Sequence, residues 1–104
     1  MAYRVIVMPS AQADLDEHTA FIARDSDRYA REWLSKAWET IFSLAENPTR
    51  FAVIAEAKEL RVELRDVLHY SHRIIYWVKE ADQVVEVLRV YHGARRPLSK
   101  KDIP

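Results

Sequence analysis

The chain has 104 residues, enough for one small domain and not for two. Apolar residues make up 49% of it, too many for a disordered chain, and it has no cysteine, which excludes disulfides, thiolate metal sites and a cysteine nucleophile. The formal net charge is zero, but residues 1–56 hold 6 Lys/Arg against 9 Asp/Glu and residues 57–104 hold 10 against 7, so any cationic surface belongs to the C-terminal half and falls short of what a phosphate-dependent nucleic-acid binder carries.

Residues 3–8, Tyr-Arg-Val-Ile-Val-Met, read as a short β-branched strand stopped by Pro9. Ser10 stands where it could cap the helix that follows, in which Ala11, Leu15, His18 and Ile22 recur at helical spacing. Arg24 to Asp27 break that pattern, and Ser26 or Asp27 can cap a second helix. Its stripe is Ala30, Trp33, Leu34, Ala37, Ile41, Leu44 and Ala45, and Asn47-Pro48 ends it, because a residue before proline is driven out of helical geometry. So short a link predicts a helix hairpin. A single glycine, Gly93, argues for a helix-rich chain with few tight turns.

Residues 49–59 carry no clear period. Leu60 to Arg65 alternate apolar and charged, which predicts a strand with one buried face. Tyr70 to Val78 form a nearly all-apolar strand, expected to be central, and Lys79 to Gln83 a polar turn. Val84 to Tyr91 form a third strand, and a basic, proline-bearing tail follows from His92. Strand, helix pair, then a three-stranded meander is an α+β order, β-α-α-β-β-β, with the helices on one face of a mainly antiparallel sheet. The N-terminus lacks the apolar core of a signal peptide, and no run reaches the roughly 20 apolar residues of a membrane span. With the missing cysteine, this makes a cytoplasmic protein the expectation.

Three local features, spanning residues 3 to 96, resemble the ParE/RelE superfamily of toxins from type II toxin–antitoxin pairs. They are the opening strand with Ser10-Ala11-x-x-Asp14-Leu15, the helix end Leu44-Ala45-Glu46-Asn47-Pro48, and Arg73-Ile74-Ile75-Tyr76 followed by a strand ending Tyr91-His92-Gly93-x-Arg95. The resemblance implies one toxin domain over residues 1–96 with a basic tail at 97–104. It also implies growth arrest, plasmid stabilisation, and a cognate antitoxin that holds the toxin in a hetero-oligomer. RelE-like members resemble ribosome-dependent mRNA endonucleases; ParE-like members resemble inhibitors of DNA gyrase.

Cleavage of RNA by its own 2′-hydroxyl needs a base, cations for the phosphate and an acid for the leaving oxygen. Arg73 stands at the position of a catalytic arginine in the RelE-like pattern, and His92 near the acid/base position. Arg61 and Arg65 are expected on one strand face with Glu63 between them as a conceivable base. No tyrosine follows His92, however, and the strand mixes its cations with Glu63. A terminal strand running into His-Gly-x-Arg is the ParE-like form, so gyrase inhibition without catalysis is favoured over an mRNA endoribonuclease. The third possibility is a non-toxic interaction module of the same fold.

The expected target-binding residues are Arg61, Arg65, Arg73, His92, Arg95 and Arg96. Each also has a plainer explanation: Arg73 can pair with Glu63 or Asp66 across the sheet, and the tail cations can be simply solvated. Phe21, Trp38 and Phe42 exceed what one buried helix face needs and are expected to contact the antitoxin, whereas Trp33 belongs to the core. No spacing among His18, His69 and His72 points to a metal, and no cofactor is expected.

Overall fold

The structure, a computed structural model, describes residues 2–104. It is α+β as expected. Strand β1 (Arg4–Val7) leads into helices α1 (Pro9–Ala23) and α2 (Asp27–Ser43), then a short helix α3 (Ala57–Leu60) and strands β2 (Leu64–His69), β3 (His72–Lys79) and β4 (Val84–His92). The sheet order is β1-β4-β3-β2, with β1 parallel to β4 and the other pairs antiparallel. None of the described helices is long and apolar enough to cross a membrane.

The helix hairpin forms where the periodicity places it. Ser26 is the cap of α2, its hydroxyl accepting the N–H of Tyr29 at 3.1 Å. Ser10 does not cap α1. Pro9 already occupies the first helical turn, so Met8 takes the cap position, and the Ser10 hydroxyl donates to the carbonyl of Leu88 at 2.7 Å. That carbonyl lies in a bulge: Ile75 faces Arg89 and Tyr76 faces Val87, leaving Leu88 without a partner across the ladder. Asp14 accepts the N–H of Val90 beside it. The Ser10-to-Asp14 spacing therefore serves to fix an irregularity in a strand more than 70 residues away.

Two apolar clusters lie on opposite faces of the sheet. On one face, Ala11, Leu15, Trp33, Ala37, Ile41 and Leu44 of the hairpin pack on Ile74, Tyr76, Val85, Val87 and Val90. Burying each large aliphatic here contributes about 1.5–3 kcal/mol. Tyr76 donates to the carbonyl of Pro48 at 2.5 Å, and burial pushes its phenol up to about 12. On the other face Ile75, Leu88 and Tyr91 are covered by Ile54, Ala57, Leu60, Leu64 and, from the tail, Leu98. The tail is thus anchored at Leu98 and Asp102, while Lys100 and Lys101 stay exposed. Ser99 and Asp102 form a reciprocal cap on the turn Lys100–Asp102, and Tyr91 donates to the carbonyl of Arg96 at 3.0 Å.

Two expectations are corrected. Leu60 to Arg65 is not a strand: Leu60 ends α3, Arg61 takes the left-handed conformation that stops it (φ 58°), and β2 starts only at Leu64. Ala57, Leu60 and Leu64 fit helical spacing as well as Leu60, Val62 and Leu64 fit alternation, and over so few residues the two periods are not separable. Turns are also not scarce. Asn47, Arg61, Tyr70 and Gln83 all adopt positive φ, doing without glycine what glycine does most easily. Gly93 is needed for a different reason. Its N–H donates to the Ser71 carbonyl at 2.7 Å, and a Cβ there would stand 3.1 Å from that oxygen.

Candidate functional site

Arg73 points from β3 into a clamp of two carboxylates. Its Nη1 and Nη2 donate to Glu56 at 2.7 and 3.0 Å, and its Nε donates to Asp66 on β2 at 2.8 Å. All three side chains are largely shielded, which strengthens the pairing. The guanidinium holds the Glu56 carboxyl down at about 2, and both carboxylates hold Arg73 protonated. Glu56 also accepts the N–H of Leu98, tying the tail to the same point. Of the two partners expected across the sheet, Asp66 is found and Glu63 is not: it binds Arg65 instead, at 3.0 Å.

Arg65 is similarly engaged. Its Nη1 donates to the carbonyls of Thr49 and Phe51, fastening the segment after α2 to β2. Arg96 makes a two-pronged pair with Asp102 at 2.7 and 3.0 Å, which holds that buried carboxyl well below the usual range. Arg89 makes another with Asp14 and also donates to the Asp102 carbonyl at 2.9 Å. Of the six residues expected to meet a target, Arg61 and Arg95 are the cations with no ion-pair partner among the described residues. Both are exposed. Arg95 lies over the ring of Tyr91 at 4.6 Å, an apolar rest that leaves its donors outward.

The six do not form one surface. Arg73 and Arg95 line a shallow cleft of about 440 Å³ with Glu56, Glu59 and Gly93. Arg61 belongs to a separate hollow with Lys58 and Glu63, and no longer shares a strand face with Arg65. His92 ends β4 directly opposite His72, and its Nδ1 accepts the N–H of Ala94 at 3.0 Å. In the neutral imidazole this leaves the proton on Nε2, as a donor. His92 and Arg95 also border a second, roomier cleft of about 700 Å³ beside α1 that includes His18, Phe21 and His72.

Of the aromatic residues, Trp33 is buried as expected. Phe21 and Phe42 are each 59% exposed, and Trp38, half-buried, stacks on Phe42 with ring centres 5.5 Å apart. The reading from sequence missed two things. One is Glu56, which stands in a stretch without period and 17 residues from its arginine. The other is the meeting of all four histidines, taken up below; only the strand register, which sets His69, His72 and His92 opposite one another in turn, brings three of them together.

Residues 5–97 match the family model described as the ParE toxin of type II toxin–antitoxin systems, parDE. No curated protein matches the chain. Among solved structures, the toxin–antitoxin complex RelBE2 from Mycobacterium tuberculosis superposes with a TM-score of 0.61 at 21% identity, over 91% of this chain and 95% of that one. At that identity the likeness is one of fold.

Proposed function

As this chain belongs to the ParE toxin family of type II toxin–antitoxin systems, we propose that it is the toxin half of such a pair and that it acts by binding DNA gyrase, without cleaving RNA. The observation that carries the second part is the Arg73 clamp. A guanidinium gripped on three of its five N–H groups by Glu56 and Asp66 has its charge already offset by two carboxylates that would repel a phosphate, and a carboxyl held at about 2 is far too weak a base to take a 2′-hydroxyl proton near neutral pH. His92 then lacks the arginine that the endonuclease pattern sets beside it, since Arg73 is committed to Glu56 and Asp66, and no tyrosine follows it. In this reading Arg73, Arg65 and Arg96 shape the surface, and Arg95 with His92 contacts the target, with Arg61 as a secondary contact.

The antitoxin is expected on the helix hairpin, where Phe21, Trp38 and Phe42 leave apolar area uncovered on a chain of this size. The complex in the similar M. tuberculosis structure is of a toxin with its antitoxin, which favours the same pairing here. In the cytoplasm the two would form a hetero-oligomer.

The test is a supercoiling assay with purified gyrase. The toxin should block supercoiling or trap cleaved DNA, and Arg95→Ala should weaken this at least tenfold while leaving the fold intact. Unimpaired gyrase at saturating toxin would sink the reading. Codon-phased cuts in mRNA on translating ribosomes, lost in Arg73→Ala, would replace it with the endonuclease. Expression without any growth defect would leave an interaction module only.

A further inference from the structure

Three histidines gather around one indole, and the fourth, His92, packs on one of them. His18 comes from α1, His69 ends β2, His72 opens β3 and His92 ends β4; Trp33 reaches the first three from α2. Ring centres lie 4.1 Å apart for His18 and His72, and 4.8 Å for His72 and His92. Trp33 is 4.7 Å from His18, 5.1 Å from His69 and 5.4 Å from His72. These rings sit at the seam where the tip of the hairpin meets the sheet. His69 also makes a polar tie across that seam, its Nε2 lying 3.0 Å from the carbonyl of Trp33.

We propose that the four-histidine cluster is an acid-sensitive latch, which holds the hairpin tip on the sheet while the imidazoles are neutral and lets it go when they take up protons. Stacked or tilted rings at 4–5 Å pack well when uncharged, and two imidazolium ions at that distance repel. The surroundings offer little to offset such charge. From α1 the cluster faces Asp14 and Glu17, but Asp14 is already taken by Arg89 and by the N–H of Val90. From α2 it faces the cation Lys36, near His69, and from β4 and beyond the cations Arg89 and Arg95. Glu17 is thus the one carboxylate among these facing groups not already in an ion pair.

Burial, followed by the neighbouring histidines, holds His72 down at about 4, and burial first also lowers His18 and His69. His72 is 5% exposed and its Nδ1 has no hydrogen-bond partner, so this ring gains nothing from being charged where it stands. Between the ordinary histidine value of 6.5 and about 4, the folded chain therefore binds fewer protons than a chain with its hairpin released. Lowering the pH through that window favours release. The opposite end of the hairpin, where the Tyr3 N–H donates to the Ala45 carbonyl, carries no imidazole and remains as the hinge.

Trp33 is a built-in reporter. In the full chain carrying Trp38→Phe and Trp77→Phe it is the only indole, and its emission can be followed from pH 8 to 4 beside far-ultraviolet circular dichroism. The expected result is a reversible red shift of Trp33 with a midpoint between 6.5 and 4 while helical signal persists. Adding His18→Phe and His72→Phe, which keep aromatic packing without a titrating ring, should lower the midpoint by roughly a pH unit or abolish it. An emission that stays constant until helix is lost, or a midpoint unmoved by the two phenylalanines, would overturn the latch. An NMR titration of the unsubstituted chain gives an independent reading: His18, His69 and His72 titrating separately near 6.5 would also overturn it. Phe21 stacks on His18 at 5.8 Å, so the antitoxin surface would move with the latch. That consequence rests on the proposed function; the titration does not.

Discussion

The two faces of this sheet are covered by different means. The hairpin side is closed mainly by aliphatic and aromatic side chains at helical spacing, with the histidine rings at its tip and the Ser10 and Asp14 ties to β4 as its polar points. The opposite side is closed by segments with almost no regular structure, residues 51–63 and 97–104, held by arginine–carboxylate forks: Arg73 with Glu56, and Arg96 with Asp102. A helix brings its own backbone hydrogen bonds and needs only apolar contact to stay. An irregular segment has neither a period nor an internal ladder, and it is fixed at points by groups of opposite charge. The same contrast explains why cations that look functional in the sequence have structural duties on the second face.

The contrast can be broken most directly at the hairpin. Leu15 is fully buried, and Leu15→Ala should cost about 4 kcal/mol, read as a lower urea midpoint that both faces share if the domain unfolds as one unit. Acid should separate the faces. His72 and Glu56 are both depressed in the folded chain, so each contributes stability that is present above its ordinary value and lost as the pH falls through its folded one. The windows differ, 6.5 to about 4 for His72 and 4.5 to about 2 for Glu56, each representing about 3 kcal/mol. Hydrogen exchange during acidification should therefore show amides at the hairpin tip opening before those of residues 54–60 and 98–102. The reverse order would show that the arginine forks are the weaker closure.

A somewhat smaller effect is expected from Arg73→Ala, about 2–3 kcal/mol, because Glu56 and Asp66 are left shielded and unpaired. Replacing all three together, with Arg73→Met, Glu56→Gln and Asp66→Asn, should recover most of that loss in the same urea experiment. Failure to recover would mean that the fork fixes the segment geometrically as well as by charge. Smallest of all, Phe42→Ala should change the urea midpoint by less than about 0.5 kcal/mol, being mostly solvent-exposed. Calorimetric titration with the antitoxin should nonetheless show weaker binding; unchanged affinity would remove Phe42 from the proposed interface.

What the sequence disclosed follows the same division. The hairpin, the Ser26 cap, and strands β3 and β4 are written in local signals: a 3.6-residue stripe, a capping hydroxyl, and long β-branched runs. The covering of the second face is not, because Glu56 and Arg73, or Arg89 and Asp14, are joined across distances that no short pattern encodes. Strand β2 starts at Leu64, later than the alternation from Leu60 suggests, for a related reason. Four to six residues of mixed character satisfy more than one period, and only the left-handed Arg61 decides where the helix stops. Among site residues, Arg95 is legible as an exposed tail cation. The commitment of Arg73 is legible only in part, since Asp66 is visible from the sequence as a partner and Glu56 is not.

The place of β4 has a consequence for how the chain reaches this state. It follows the other described strands in sequence and lies between the first strand and β3, with Arg4 set beside Val84 and Val7 beside Val87. Until residues near 90 exist, β1 has no neighbour, and the bulge that Ser10 and Asp14 secure has not been synthesised. Pairings of such sequence separation raise contact order and slow folding. They also mean that a growing chain cannot assemble the sheet piecemeal from its N-terminus. The surface around His92 and Arg95 therefore takes shape only once β4 has joined both the first strand and β3.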